Sequence, residues 1–169
     1  MKLLGAALFV LVSTTCSLRA QNHLNEWKGL VPLHSTRMDV EKKFGPSKKT
    51  YKDAFYESAY ETEEESIRVE YSEGTCNENR DNKWNVPKDT VIRISVSPKG
   101  ETSIPKFKRL FPQSFSRLID PHVQSQIHYS NKDGSVGFLT KILSNGGEDI
   151  LFFSIRPTEA DANLRCARN

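Results

Sequence analysis

After its first twenty residues, the chain lacks any apolar run that approaches the roughly 20 residues of a bilayer-spanning helix. It also lacks a strong excess of either charge, since 24 Lys and Arg against 21 Asp and Glu give a formal net charge of +3. Proteins dedicated to nucleic-acid binding depend on a marked basic excess. The sequence therefore predicts neither a transmembrane segment nor a nucleic-acid partner.

The motifs of common hydrolases and zinc enzymes are also missing. No serine lies in a G-x-S-x-G turn, and no H-E-x-x-H pair offers zinc ligands on one helix face. Asp120, His122 and His128 lie near one another, but zinc ligands are usually more closely spaced. The carboxylates within residues 61–65 are more typical of a solvated edge than of a general acid and base. We therefore expect a protein that is not an enzyme and that holds no metal or cofactor.

An export signal occupies the N-terminus. Lys2 supplies a positive charge, residues 3–12 are apolar or small, and Ala20 is a small residue suited to cleavage. A bacterial lipoprotein would instead be cut before Cys16, but the three residues ahead of that cysteine fit such a signal poorly. We expect residues 1–20 to be a signal peptide and the mature chain to be periplasmic or extracellular, without lipid at Cys16.

Removal of that segment leaves two cysteines, Cys76 and Cys166. An even number of cysteines in an oxidising compartment indicates a disulfide. The alternative is a reactive thiol, which needs a helix N-terminus or a C-x-x-C pair to favour its thiolate. Neither cysteine has such surroundings in the sequence, so we predict that the two are bonded.

The best-marked secondary structure is a helix over residues 36–44. Thr36 is its predicted N-cap, and Asp39 completes a pair that resembles a capping box. Val40 and Phe44 are four residues apart, so they share one face and are expected to be buried. The Gly-Pro pair after Phe44 ends the helix.

Strand patterns account for most of the remaining chain. Period-2 alternation, β-branched runs and turn signals predict strands over 54–60, 66–71, 90–97, 126–130, 135–143 and 149–156. Residues 103–118 are ambiguous, because their helical spacing of apolar residues is interrupted by Pro105 and Pro112.

These patterns predict one α+β domain over residues 21–169, with short helices packed on one side of an antiparallel sheet. A helix followed by three strands occurs twice, in possible halves 31–98 and 103–157. The closing strands of the halves echo each other as I-R-I-S-V-S-P and L-F-F-S-I-R-P. Strands that end in proline are common, so the sequence leaves open whether the halves are a true duplication.

Residues 36–40 (T-R-M-D-V) and 44–46 (F-G-P) resemble the helix motif of the small outer-membrane-assembly lipoproteins of the SmpA/BamE type. This resemblance implies a fold like that of the β-lactamase inhibitor protein, built from two related helix-plus-sheet units. Residues 32–37 and 84–90 are similar to a group of uncharacterised secreted bacterial proteins, a resemblance that implies no activity.

The longest predicted connection, residues 72–89, holds the candidate interaction residues. Trp84 lies in this polar segment together with Lys83 and Lys88, and an exposed tryptophan beside cations is suited to anchor an interface. The alternative is that Trp84 covers the core beneath a long loop.

We therefore expect an exported, non-enzymatic binding or scaffolding domain of the bacterial cell envelope. Its expected partner is a protein or another envelope component, which the sequence does not identify. Two alternatives stay open: an inhibitor-like module that acts on an enzyme, and a hydrolase whose site the sequence does not reveal. No pattern in the chain indicates its oligomeric state.

Overall fold

The structure is a computed structural model, and it describes residues 25–52, 56–76, 84–119, 123 and 125–167. The predicted signal peptide, with Cys16, lies outside these residues. Lys83, Asp120 and His122 also lie outside them.

The described chain is mostly β. Its elements are α1 (Arg37–Phe44), β1 (Lys49–Tyr51), β2 (Glu57–Glu61), β3 (Glu65–Tyr71), β4 (Val91–Pro98), α2 (Ile104–Leu110), β5 (Phe115–Ile119), β6 (Gln126–Asn131), β7 (Val136–Ile142), β8 (Glu148–Ile155) and a 3-10 helix (Glu159–Leu164). The strands form one antiparallel sheet in the order β1-β2-β3-β4-β8-β7-β6-β5. The predicted antiparallel sheet is confirmed, but the described chain is mostly β rather than α+β, because its helices are few and short. None of the helices described has the length and apolar character needed to cross a bilayer.

The helix predicted near residue 40 is confirmed as α1. The Thr36 hydroxyl accepts a hydrogen bond from the Asp39 N–H, and the Asp39 carboxylate accepts one from the Thr36 N–H at 2.8 Å. Val40 is fully buried, whereas Phe44 is only partly buried and stacks on Trp27 with 5.6 Å between ring centroids. The helix ends at Gly45, whose φ of 79° is readily adopted only by glycine.

Each half of the chain supplies one α-helix and then four strands, not the three that the sequence predicts. The missed strands are β1 and β5, the two outer strands of the sheet. With three residues, β1 is too short to show an alternating pattern. The ambiguous segment divides into α2 and β5, because Pro112 cannot continue the helix and the residues after it pair with β6.

The two strands with similar sequences, β4 and β8, are neighbours at the centre of the sheet. In the sequence echo Ser95 corresponds to Ser154, and these two serines lie directly opposite each other in the antiparallel pair. The order of the elements is therefore the same in the two halves, and the strand order in the sheet is symmetric about the β4–β8 pair. A true duplication stays a prediction.

One cluster of buried apolar side chains forms the core of the described residues. It takes alternate residues from the strands, Val40 from α1 and Phe107 from α2. Phe107 is fully buried, and its ring centroid lies 4.5 Å from that of Phe138 and 5.2 Å from that of Phe153. Trp27, from the segment before α1, joins the same cluster.

The opposite face of the sheet differs between the two halves. Strand side chains alternate between faces, so the register gives this face a mostly charged half on β2, β3 and β4, with ion pairs such as Arg93–Glu70 at 2.9 Å. On β5 to β8 one cross-strand row contains, in order, Leu118, His128, Leu139 and Phe152. The second half of this face is therefore the more apolar one.

Candidate functional site

The disulfide joins the start of the 72–89 connection to the C-terminal segment. Cys76 and Cys166 form a disulfide bond in the structure, and their Cα atoms are 5.6 Å apart. The two residues are 90 positions apart in the chain. The prediction that these cysteines lie within disulfide reach is confirmed. Cys76 itself has a φ of 45°, which is uncommon for a residue other than glycine.

Backbone hydrogen bonds hold the described parts of this connection on both sides. Next to the disulfide, Trp84 forms an antiparallel bridge with Arg165, and the Asn85 N–H donates to the Leu164 carbonyl at 2.7 Å. At the strand ends, the Ser72 N–H donates to the Thr90 carbonyl at 2.8 Å. Residues 72–76 and 84–89 are thus attached to the sheet and to the C-terminal segment.

Trp84 is half-buried and lies outside the core cluster. The guanidinium of Arg165 is 5.0 Å from the centroid of its indole ring, a cation–π contact. Val86 is the buried apolar residue of this connection, and Lys88 is exposed. Trp84 therefore does not fill the core, and its role as an interface anchor stays a prediction. The proposed interaction roles of Lys88 and Lys83 also stay predictions, and Lys83 lies outside the described residues.

A charged and aromatic cluster lies at the other end of the connection, and we call it the Arg37 cluster: Arg37, Tyr56, Ser58, Tyr71 and Asp89. Arg37 Nε donates to Asp89 Oδ1 at 2.8 Å, and Arg37 Nη1 donates to Ser58 Oγ at 2.7 Å. Its guanidinium lies 4.0 Å from the Tyr71 ring centroid and 4.7 Å from that of Tyr56. The cluster joins the start of α1 to β2, β3 and the end of the connection.

Burial and hydrogen bonding together set the protonation states of the members of this cluster. Burial opposes the charged form of Asp89, but hydrogen bonds from Arg37 and Tyr56 outweigh that effect and lower the pKa of Asp89. Burial, and then the hydrogen bond to Asp89, raise the pKa of Tyr56. Burial also raises the pKa of Tyr71, whose hydroxyl lies 2.8 Å from that of Tyr60. At neutral pH the cluster therefore holds a paired Arg–Asp couple and neutral tyrosines.

An open pocket of about 280 Å³ adjoins the Arg37 cluster through Tyr56. The other described residues that line it are Lys52, Glu73 and Lys88, and Lys88 Nζ is 5.9 Å from the Tyr56 ring centroid. Two cations, one carboxylate and an aromatic ring suit a polar group with negative charge. The pocket therefore places Lys88, a predicted interaction residue, in a concave surface.

Neither this pocket nor the Arg37 cluster is predicted by the sequence. Their members come from α1, from the residues around β1 and β2, from β3, and from both ends of the 72–89 connection. Arg37 and Asp89 are 52 positions apart, so no local motif relates them. Two members could be singled out in the sequence: Arg37, within the helix motif, and Lys88, which is close to Trp84 in the chain.

The histidines do not form a metal centre in the part of the chain that the structure describes. No group of three His, Cys, Asp or Glu residues there could hold an ion. His128 lies exposed on β6, opposite Leu118 and Leu139. His34 Nε2 lies 3.0 Å from Asp161 Oδ1, which links the segment before α1 to the 3-10 helix.

No known protein family, no curated protein and no solved structure matches this chain. The resemblance to the outer-membrane-assembly lipoproteins and to the secreted bacterial group therefore stays a prediction.

The Arg37–Asp89 pair makes stability depend on pH. Because the folded-state pKa of Asp89 is below its ordinary value of 3.8, the ionised carboxylate stabilises the fold above about pH 4, and this contribution is lost as pH falls through the folded-state pKa. We expect Asp89→Asn to lower the melting temperature at pH 7 and the difference from the wild type to shrink toward pH 2. Thermal unfolding at several pH values measures both.

The matched control for this prediction is Glu101→Gln, which changes an exposed carboxylate outside the Arg37 cluster. We expect it to leave the melting temperature close to that of the wild type at every pH. An Asp89→Asn difference that stays constant from pH 7 to pH 2 would contradict the assigned role of the ionised carboxylate.

Proposed function

We propose that the protein is an exported, non-enzymatic binding module of the bacterial cell envelope. In this proposal the 72–89 connection and the adjoining pocket present Trp84 and Lys88 to a protein partner. The observation that carries the proposal is the attachment of the described parts of this connection, residues 72–76 and 84–89, by the disulfide and by backbone hydrogen bonds. A surface that is ordered before binding loses less conformational entropy when a partner docks.

The chemistry of the two parts of this surface supports a partner that presents both an acidic group and an apolar one. Lys52 and Lys88 line the pocket, and the indole of Trp84 is only half-buried. A carboxylate of the partner would bind near the lysines while an apolar side chain packs on the indole. Tryptophan is enriched among residues whose truncation strongly weakens protein complexes.

The proposal also concerns the side of the sheet on which the helices pack. We infer that α1 and α2 pack on one side of the sheet, since Val40 and Phe107 belong to the same core cluster. The other side of the sheet would then be free for contacts. An inhibitor-like module would use the same attached connection, and loss of an enzyme's activity on binding would distinguish it from a scaffold.

Affinity capture from a bacterial envelope extract tests the proposal. Immobilised wild-type protein is compared with Trp84→Ala and Lys88→Glu, and the bound proteins are quantified by mass spectrometry. Truncation of an anchoring tryptophan costs about 2 kcal/mol or more of binding free energy, which weakens binding roughly 30-fold. We therefore expect at least one captured protein to be strongly depleted by both substitutions.

The matched controls are Leu110→Ala and Lys106→Glu, which change exposed residues of α2 in the same way but away from the proposed surface. Both controls should capture the partner at wild-type levels. If every captured protein is retained equally by all variants, the assignment of binding to Trp84 and Lys88 is wrong.

A further inference from the structure

The sheet has two edge strands, which differ in length and in the side chains that they expose to solvent. Among the described residues, β1 pairs with β2 alone and β5 with β6 alone. The outer side of such a strand presents backbone N–H and C=O groups that can pair with another chain. Proteins usually protect these edges by short strands, lysine, proline or bulges.

The β1 edge carries such protection. The strand has three residues and begins with the exposed Lys49, which follows another exposed lysine, Lys48. A strand of this length offers few backbone groups, and its lysines would have to lose water to admit a neighbouring strand. Further strand addition is therefore disfavoured at β1.

The β5 edge occupies the equivalent place in the second half and lacks that protection. Its five residues, F-S-R-L-I, include neither lysine nor proline. Leu118 is 69% exposed and Ile119 is 50% exposed, although both are large apolar residues. The charge of Arg117 is balanced within the chain, because its Nη2 lies 3.7 Å from Glu148 Oε1. This edge strand therefore carries two exposed, large apolar side chains and an arginine whose charge is balanced within the chain.

We propose that β5 pairs in an antiparallel manner with β5 of a second copy of this chain. A two-fold axis makes the two edges identical, so each strand satisfies the outward backbone groups of the other. The pairing would join the two eight-stranded sheets into one. This interaction uses a different part of the molecule from the proposed binding surface and does not depend on it.

Side-chain chemistry selects the register of this pair. A pair centred on Arg117 places two guanidinium groups directly opposite each other, which is unfavourable. A pair centred on Leu118 places the two leucines opposite each other and each Arg117 beside the partner's Ile119. It also joins the Leu118–His128–Leu139–Phe152 rows of the two copies end to end. We therefore assign the register centred on Leu118.

The difference between the edges also determines the size of the assembly. Once two β5 strands pair, the outer strands of the combined sheet are both β1, whose short length and lysines oppose further addition. The product is a closed dimer and not a filament. Two strands of five residues form a contact below the roughly 1,200 Å² of stable complexes, so the dimer should be weak and concentration-dependent.

Analytical ultracentrifugation of the purified protein, with its disulfide formed, tests the pairing. Between about 1 and 500 µM the wild type should shift from monomer toward dimer. Leu118→Lys should raise the dimer dissociation constant at least tenfold, since it places a charge at the centre of the pair. Leu110→Lys is the matched control: this leucine is 61% exposed on α2, and its substitution should leave dimerisation unchanged.

Crosslinking tests the register independently. Directly opposite residues of an antiparallel pair have Cα atoms about 4.5–5.5 Å apart, within disulfide reach. Mild oxidation should therefore convert Leu118→Cys, but not Leu110→Cys, to a covalent dimer. A wild-type protein that stays monomeric across the concentration range overturns the proposal. Equal dimerisation of Leu118→Lys and wild type, or equal crosslinking of the two cysteine variants, overturns it as well.

Discussion

Replacement of Phe107 by alanine is expected to lower the free energy of unfolding by about 3–5 kcal/mol, the usual cost of removing a buried phenylalanine ring. Phe107 is fully buried, and four other aromatic rings surround it: Phe111, Phe115, Phe138 and Phe153. Because these rings come from β5, β7, β8 and the end of α2, they cannot all move together to fill the space. A cavity should therefore remain, and the contacts across it should be lost.

Urea unfolding followed by circular dichroism measures this effect. Leu110→Ala is the control, because it truncates an exposed side chain on the same helix and should change the free energy of unfolding by less than about 0.5 kcal/mol. Similar losses for the two variants would show that helix propensity, and not core packing, is being measured. An unchanged midpoint for Phe107→Ala would contradict the burial of its ring.

Removal of the disulfide should have an effect of comparable size. Cys76 and Cys166 are 90 positions apart, so the bond restricts a long loop in the unfolded chain. In the chain-entropy model a loop of this length stabilises the fold by about 4–5 kcal/mol. We expect the double variant Cys76→Ser, Cys166→Ser to lose stability of that order, and the wild type to lose a similar amount when it is reduced.

Hydrogen exchange can separate this global effect from a local one. The Cys76 N–H donates to the Trp84 carbonyl at 3.3 Å, and the Asn85 N–H donates to Leu164. If the bond also orders the connection, these amides should exchange faster in the double variant than the loss of global stability explains. The exchange rates of amides at the centre of β7 should change only as global stability changes. Identical unfolding midpoints for oxidised and reduced wild type would contradict the bond.

In the candidate site, the disulfide could be predicted from the sequence but the pocket could not. Cys76 and Cys166 could be paired in advance because no other cysteine follows the expected signal peptide. The pocket could not be predicted, since Lys52 and Lys88 come to line the same pocket only when β2, β3 and the 72–89 connection are in place. Trp84 was open to two interpretations, because its burial depends on the C-terminal segment that carries Arg165.

Local patterns determined α1 and most of the strands. A capping pair, a Gly-Pro stop and period-2 alternation each involve residues within a few positions, so short-range sterics and hydrogen bonding specify them. The sequence echo of β4 and β8 was visible in the same way. Tertiary structure alone decided that these two strands are neighbours, with Ser95 opposite Ser154.

The outer strands were decided by the tertiary structure for a related reason. β1 is three residues long, and β5 follows a proline-interrupted segment, so neither has a distinctive pattern of its own. Each becomes a strand because a neighbour, β2 or β6, offers it hydrogen-bond partners. Pairing over long distances in the chain depends on all the intervening elements. Which edge is protected and which is open therefore follows from the assembled sheet and from no local pattern.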